Sequence, residues 1–249
     1  MRILFTLMAV LGGLLLLGRF RRRRGKPVLI PGFDFAGTSQ ARYQMGGDYH
    51  DIFVPPGKGS MAVAVGDVAG HDVMAARLMG VASRLLRARA AIPGGLAALM
   101  EDVNRELAPM QAGRFMTLFL AVMVGETRSI HWVSAGHAPV IAYDPVEDRF
   151  GEVPGSDIPL GIDPDWHYHE AKHIGWSTGA LLVVGTDGIW EARNPSGEMY
   201  GKERLLRVVR GARQLDAAAI VHAVNTDVAA FRQGRPPGDD ATLVVVKAV

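Results

Sequence analysis

The chain has 249 residues, 49% hydrophobic and 21% charged, with 30 glycines and 14 prolines dispersed along it, a composition that excludes disorder and suits one large domain. It has no cysteine, which removes disulfides, thiolate catalysis and cysteine-ligated zinc or iron–sulfur sites together. Seven of the 27 Lys and Arg fall in the first 26 residues, leaving 20 basic against 25 acidic residues in the remainder, so that no nucleic-acid partner is expected.

Residues 3–18, "ILFTLMAVLGGLLLLG", are uncharged and are followed at once by "RFRRRR". The run falls a little short of the roughly 20 residues that cross a bilayer core, but the flanking Arg2 and Arg19 can snorkel. A cleavable signal peptide places its positive charges before the apolar run and small residues after it, and here that order is reversed. The arginine cluster predicts a cytoplasmic location for the rest of the chain. Residues 1–26 therefore read as a membrane anchor with a basic flank, single-pass in the inner (cytoplasmic) membrane, and 27–249 as a cytoplasmic domain. A buried helix or a misplaced start codon is the competing reading.

From "KPVLIPGFDF" onward, short β-like runs alternate with turn residues. The segments 60–67, 115–124, 129–137, 139–144, 180–187 and 241–249 are rich in β-branched and apolar residues and are expected to be buried strands. Residues 72–91 place Val73, Ala76, Leu78, Met79, Ala82, Leu85 and Leu86 at helical spacing. A second helical block follows Pro93, through Leu96, Leu99, Met100, Val103 and Leu107, and a third spans 216–231 with Asp216 as its N-cap. The methionines in these blocks are core filler. Strands mostly follow strands and the helices are grouped, so the class is α+β with largely antiparallel sheets.

Aspartates recur where the predicted strands end. "MGGDYHD" holds Asp48 and Asp51, "VGDVAGHD" holds Asp67, "VGTDGIWE" holds Asp187, and "PPGDDATL" holds Asp239 and Asp240. Each lies near a glycine, which lets the backbone approach a bound group or simply turn. Clustered carboxylates repel unless a cation or protons compensate them. All-oxygen ligation suits Mn²⁺ or Mg²⁺ rather than zinc. Two such ions about 4 Å apart activate water for in-line displacement at phosphorus, which makes phosphoester hydrolysis the leading chemistry.

The ordered set "GGDYHD", "GDVAGH", "FMTLFLAVM", "SAGHAP", "PLGI", "LLVVGTDGIWEARNPSGEMYGKERL" and "DDATLVVV" resembles the metal-dependent protein serine/threonine phosphatases of the protein phosphatase 2C type. Within them it is similar to the bacterial sporulation stage II protein E branch, over roughly residues 30–249. The resemblance implies a four-layer αββα sandwich, two antiparallel sheets flanked by helices, with a two-metal site at one end. It implies that Asp67 bridges both ions, that Asp187 and Asp239 hold one, and that the Val68 carbonyl and the Asp48 carboxylate serve the other. Asp51 is then a supporting ligand or a structural partner. The sequence departs from the family in having Asp72 where a glycine usually follows "GH", at the expected start of a helix; it either caps that helix or has a metal-related role. His71 is a weak candidate for the general acid. His137 is either part of the site or a buried histidine holding a turn, and Arg42 either meets a phosphate or is solvated.

The function implied is hydrolysis of phosphoserine or phosphothreonine on a phosphorylated partner protein, in this branch often an anti-sigma-factor antagonist. The alternatives are a catalytically inactive pseudophosphatase acting as a partner-binding module, and a hydrolase of small phosphoesters. Retention of Asp67, Asp187 and Asp239 favours the enzyme.

Overall fold

The computed structural model describes residues 30–42, 46–55, 59–70, 72–90, 95–110, 113–137, 139–153, 155 and 157–249. Two five-stranded antiparallel sheets face each other. One has the order β2-β3-β4-β5-β8, from Asp48–Phe53, Ser60–Val68, Met116–Val124, Ser129–Ala135 and Ala171–His173. The other has the order β1-β10-β9-β6-β7, from Phe33–Gln40, Ala241–Ala248, Leu181–Gly185, Val140–Asp144 and Arg149–Glu152. Helices α1 (Val73–Arg89) and α2 (Leu96–Leu107) cover the first sheet, and α3 (Asp187–Trp190), α4 (Lys202–Ala212) and α5 (Ala217–Arg232) cover the second. This is the expected four-layer αββα sandwich.

Burial on both faces explains why the strands read as continuous apolar runs instead of alternating ones. Along β3, Met61, Val63 and Val65 enter the core between the sheets, while Ala62 and Ala64 face α1 and α2. The small residues on that outer face let α1 come close with its own Ala75, Leu78, Ala82 and Leu86. On the second sheet, Leu243 and Val245 of β10 pack under Leu205, Val209, Ile220 and Val224, and Val244 and Val246 point inward.

Asp72 caps α1 by accepting from the Met74 and Ala75 amides, each at 3.0 Å, and Asp216 caps α5 by accepting from Ala219 N at 2.7 Å. Capping settles the departure at position 72, whose carboxylate also pairs with Arg114 at 2.7 Å. Three expectations are corrected. The 180–187 strand ends at Gly185, and Asp187 instead opens α3. The strand expected over 129–137 ends at Ala135. Strand β1, helices α3 and α4 and the short edge strands β7 and β8 were not expected. Among the described residues no helix is long and apolar enough to cross a membrane; the 3–18 segment to which the anchor expectation applies lies outside the described residues, as does His71.

A buried side chain ties the helical layer to the loop beneath it. Asn104 of α2 donates from Nδ2 to the Asp163 carbonyl and accepts from Gly161 N, both at 2.7 Å. The loop in turn bridges β4 through Met116 and Leu160. Replacing the buried Asn104 by Ala removes two hydrogen bonds to partly buried loop backbone and is expected to cost about 2 kcal/mol, lowering Tm by about 4–8 °C in a thermal melt.

Candidate metal centre

One end of the sandwich collects the predicted carboxylates. Strands β3 and β9 finish there, and β2, β4 and β10 begin there, as the registers Asp48↔Asp67, Asp67↔Thr117 and Leu243↔Gly185 require. Asp48 and Asp67 are direct partners across the β2–β3 ladder, and both point into the gap between the sheets. Asp187 opens α3 on the facing sheet, and Asp239 and Asp240 lead into β10.

Charge and burial act together here. Burial, followed by the negative charges of Asp48, Asp187, Asp239 and Asp240, pushes the Asp67 carboxyl up to about 7. Burial raises Asp48 to about 6, although the Thr186 hydroxyl pulls in the opposite direction. Asp187 is also raised, by burial and then by Asp239 and Glu191. The structure thus brings Asp48, Asp67, Asp187, Asp239 and Asp240 within one another's fields. Among the described residues, no three Asp, Glu or His side chains already converge as a finished ion cage.

The oxygen donors do fit a hard divalent cation. A Cβ placed on Gly47 would lie 2.7 Å from the Gly70 carbonyl oxygen, 2.9 Å from that of Val68 and 3.3 Å from Asp67 Oδ1. Three oxygens therefore line the space that this glycine leaves open, and the donor set holds no sulfur. Such a set suits Mn²⁺ or Mg²⁺.

The supporting contacts went unseen in the sequence. Thr186 Oγ1 donates to Asp48 Oδ2 at 2.7 Å and accepts from Thr242 N at 2.9 Å, so one buried hydroxyl links the carboxylate of one sheet to the backbone of the other. Asp240, 4% exposed, accepts from Gly47 N and from Arg42 N, each at 2.6 Å. It therefore clamps both ends of the segment between β1 and β2. A Cβ on Gly188 would lie 1.8 Å from the Asp240 carbonyl oxygen, so only glycine lets α3 sit against the start of β10 and brings Asp187 beside Asp239. A threonine directly before an aspartate at a strand end was the one available signal for Thr186.

Two open alternatives resolve. Asp51 is a structural partner: it takes a bidentate pair from Arg87 of α1 at 2.6 and 2.7 Å and a hydrogen bond from Tyr49. His137 is buried, and burial pushes it down to about 4. The neutral ring donates from Nε2 to the Gly185 carbonyl and accepts at Nδ1 from Thr117 Oγ1, both at 3.1 Å, pinning the two sheets together. Arg42 directs its guanidinium to the Gly238 carbonyl, at the edge of the same end.

Comparison with known proteins agrees with this architecture. The sequence model for Stage II sporulation protein E (SpoIIE) matches residues 57–249. Phosphoserine phosphatase RsbU of Bacillus subtilis (strain 168) is 27% identical over 166 residues, 66% of this chain and 48% of RsbU, so the chain spans about half the length of that relative. The solved PP2C phosphatase domain of SpoIIE from Bacillus subtilis, with a fragment of its regulatory domain, superposes with a TM-score of 0.74 at 21% identity, over 88% of this chain and 64% of that one. RsbX, solved in complex with magnesium, gives a TM-score of 0.64 at 14% identity, over 88% and 96% of the two chains. The chain carries the PP2C-type phosphatase fold and belongs to the SpoIIE family.

Proposed function

We propose that the chain is a metal-dependent protein serine/threonine phosphatase whose catalytic domain, 27–249, is cytoplasmic and tethered to the inner membrane by residues 1–26. Its substrate is phosphoserine or phosphothreonine on a regulatory partner protein, such as a phosphorylated anti-sigma-factor antagonist. The observation that carries this reading is the group of five aspartates gathered from both sheets at one end, where burial and mutual repulsion raise Asp67 to about 7. Membership of a family with a phosphoserine phosphatase among its relatives supports it.

In this reading Asp48, Asp67, Asp187, Asp239 and the Val68 carbonyl hold two Mn²⁺ or Mg²⁺ ions. The ions would supply an acidified water as nucleophile and neutralise charge on the phosphoryl oxygens. The chain supplies positioning. Thr186 fixes the orientation of Asp48, Asp240 fixes the glycine segment that brings Asp48 to its place, and Gly188 sets the distance of Asp187 from the β10 start. His71 is retained as a weak general-acid candidate.

Hydrolysis of an aryl phosphate is expected to need Mn²⁺ or Mg²⁺ and to vanish with chelator; full activity in EDTA would contradict the proposal. Asp67→Asn and Asp187→Asn should each lower kcat by about two orders of magnitude or more. The metal-free Asp67→Asn protein should melt several degrees higher than metal-free wild type, because a buried, repelled charge has been removed. A folded wild type that binds metal and a partner but hydrolyses nothing would favour the partner-binding module.

Thr186→Val should weaken metal affinity, read by calorimetry, about 10–100-fold, while Thr186→Ser retains it. The full chain should stay with membranes through a high-salt wash, since buried aliphatic area is insensitive to ionic strength. Removal of residues 1–26 should yield a soluble domain with undiminished activity on a small substrate.

A further inference from the structure

The end of the sandwich opposite the carboxylates is also a defined surface. Val146 in the β6–β7 turn and Ile174 after β8 are 78% and 63% exposed, the two highest values among the exposed large apolar side chains described. Leu215, between α4 and α5, and the terminal Val249 are exposed at the same end. Hydrogen bonds join these connections. Arg128 donates to the Val249 carbonyl at 2.6 Å and to Thr178 Oγ1 at 2.9 Å, Gly179 N donates to the Ala248 carbonyl at 2.8 Å, and Lys247 Nζ donates to the Leu215 carbonyl at 2.7 Å. A cleft of about 360 Å³ lies between the loops that carry Val146 and Ile174. Phe119, Ile130, Trp132 and Leu182 are among its apolar lining, and Arg149 and His173 border it.

Exposed apolar side chains also flank the carboxylate end, Val73 and Phe115 among them. Exposure alone therefore assigns no partner. The entry point of the chain does. Phe33 pairs with Ala248, and Val249 N donates to the Gly32 carbonyl at 3.0 Å, so the polypeptide enters the fold at the end that carries Val146 and Ile174. Only residues 27–29 separate Lys26, the last of the basic cluster, from Ile30. Four Cα steps reach about 14 Å at full extension. A domain held at the bilayer by 1–26 thus has this end within reach of the lipid headgroups. The carboxylates lie farther off by the length of β10, about 27 Å for its eight residues.

We propose that this end is a membrane-apposed face. Val146 and Ile174 enter the headgroup layer on either side of the cleft, and the carboxylate end points away from the lipid toward a soluble phosphoprotein. The proposal rests on the tether reading above and adds an orientation to it. Insertion of the two loop tips is an intramolecular step once the anchor is in place, so modest apolar contacts suffice to hold the orientation.

The absence of cysteine makes the test direct. Full-length Val146→Cys, Ile174→Cys, Val73→Cys and Phe115→Cys chains are each labelled with one fluorophore and reconstituted into vesicles of phosphatidylcholine and phosphatidylglycerol containing headgroup-region quencher lipids. Labels at 146 and 174 should lose roughly half their emission, as expected for a surface seated about 5–10 Å into the interface, and labels at 73 and 115 should be unaffected. A label at Leu215→Cys should be quenched in the otherwise unchanged chain and lose that quenching in a Val146→Glu, Ile174→Glu chain, while vesicle flotation and aryl phosphate hydrolysis persist. Equal quenching at all four positions, quenching only at 73 and 115, or none anywhere with flotation intact would overturn the orientation and leave the tether standing. Failure of the wild-type chain to float with vesicles would overturn the tether, and the orientation with it.

Discussion

Two carboxylates face each other across one rung of a β-ladder. Asp48 and Asp67 are register partners in β2 and β3, and both project into the gap between the sheets, where burial raises their protonation range to about 6 and about 7. Directly opposed like charges destabilise a strand pair, and desolvation makes the conflict worse. The surrounding structure keeps the pair in place by other means. Thr186 reaches from the second sheet to hold Asp48, Asp240 clamps the backbone just before it, and His137 locks Thr117 to the Gly185 carbonyl one strand further on. Each of these bonds spans the two sheets or joins their connections. The site is consequently a property of the sandwich and not of either sheet alone.

Most of the layer structure was legible because double-sided burial writes itself into composition. Strands β3, β4, β9 and β10 are nearly unbroken apolar runs, and α1 and α5 open with aspartate caps before periodic apolar residues. Strands β7 and β8 are short and largely exposed, so no core pattern marks them. Helix α4 went unread although its pattern is in the sequence: Leu205, Val209 and Ala212 keep helical spacing on one buried face, and the arginines at 204, 207 and 210 occupy the opposite one.

The aspartates at strand ends were legible; their division of labour was only partly so. Asp48 and Asp51 are three apart on β2, which sends them to opposite faces, one to the inter-sheet gap and the other to Arg87 of α1. That parity was available in the sequence once a strand was placed there. The split between Asp239 and Asp240 was not. Adjacent carboxylates before a strand differ in role only through what lies across the gap, and the amides of Gly47 and Arg42, which claim Asp240, are 193 and 198 positions away in the chain.

Glycine completes the argument, because the site is as much a set of close approaches as a set of charges. A methyl group on Gly47 would fill the space lined by the Val68 and Gly70 carbonyls, and one on Gly188 would collide with the Asp240 backbone. The first glycine preserves room for a cation, and the second sets the distance between the facing sheet's acidic residues. Neither role depends on a positive φ, since neither residue is among those with that conformation. Their requirement is steric. Substitutions at these two positions therefore act on different terms, Gly47 on the volume open to an ion and Gly188 on the docking of α3 against β10. Glycine at these positions lets the carboxylates come together, and the bonds from Thr186 to Asp48 and from Gly47 N to Asp240 hold them there.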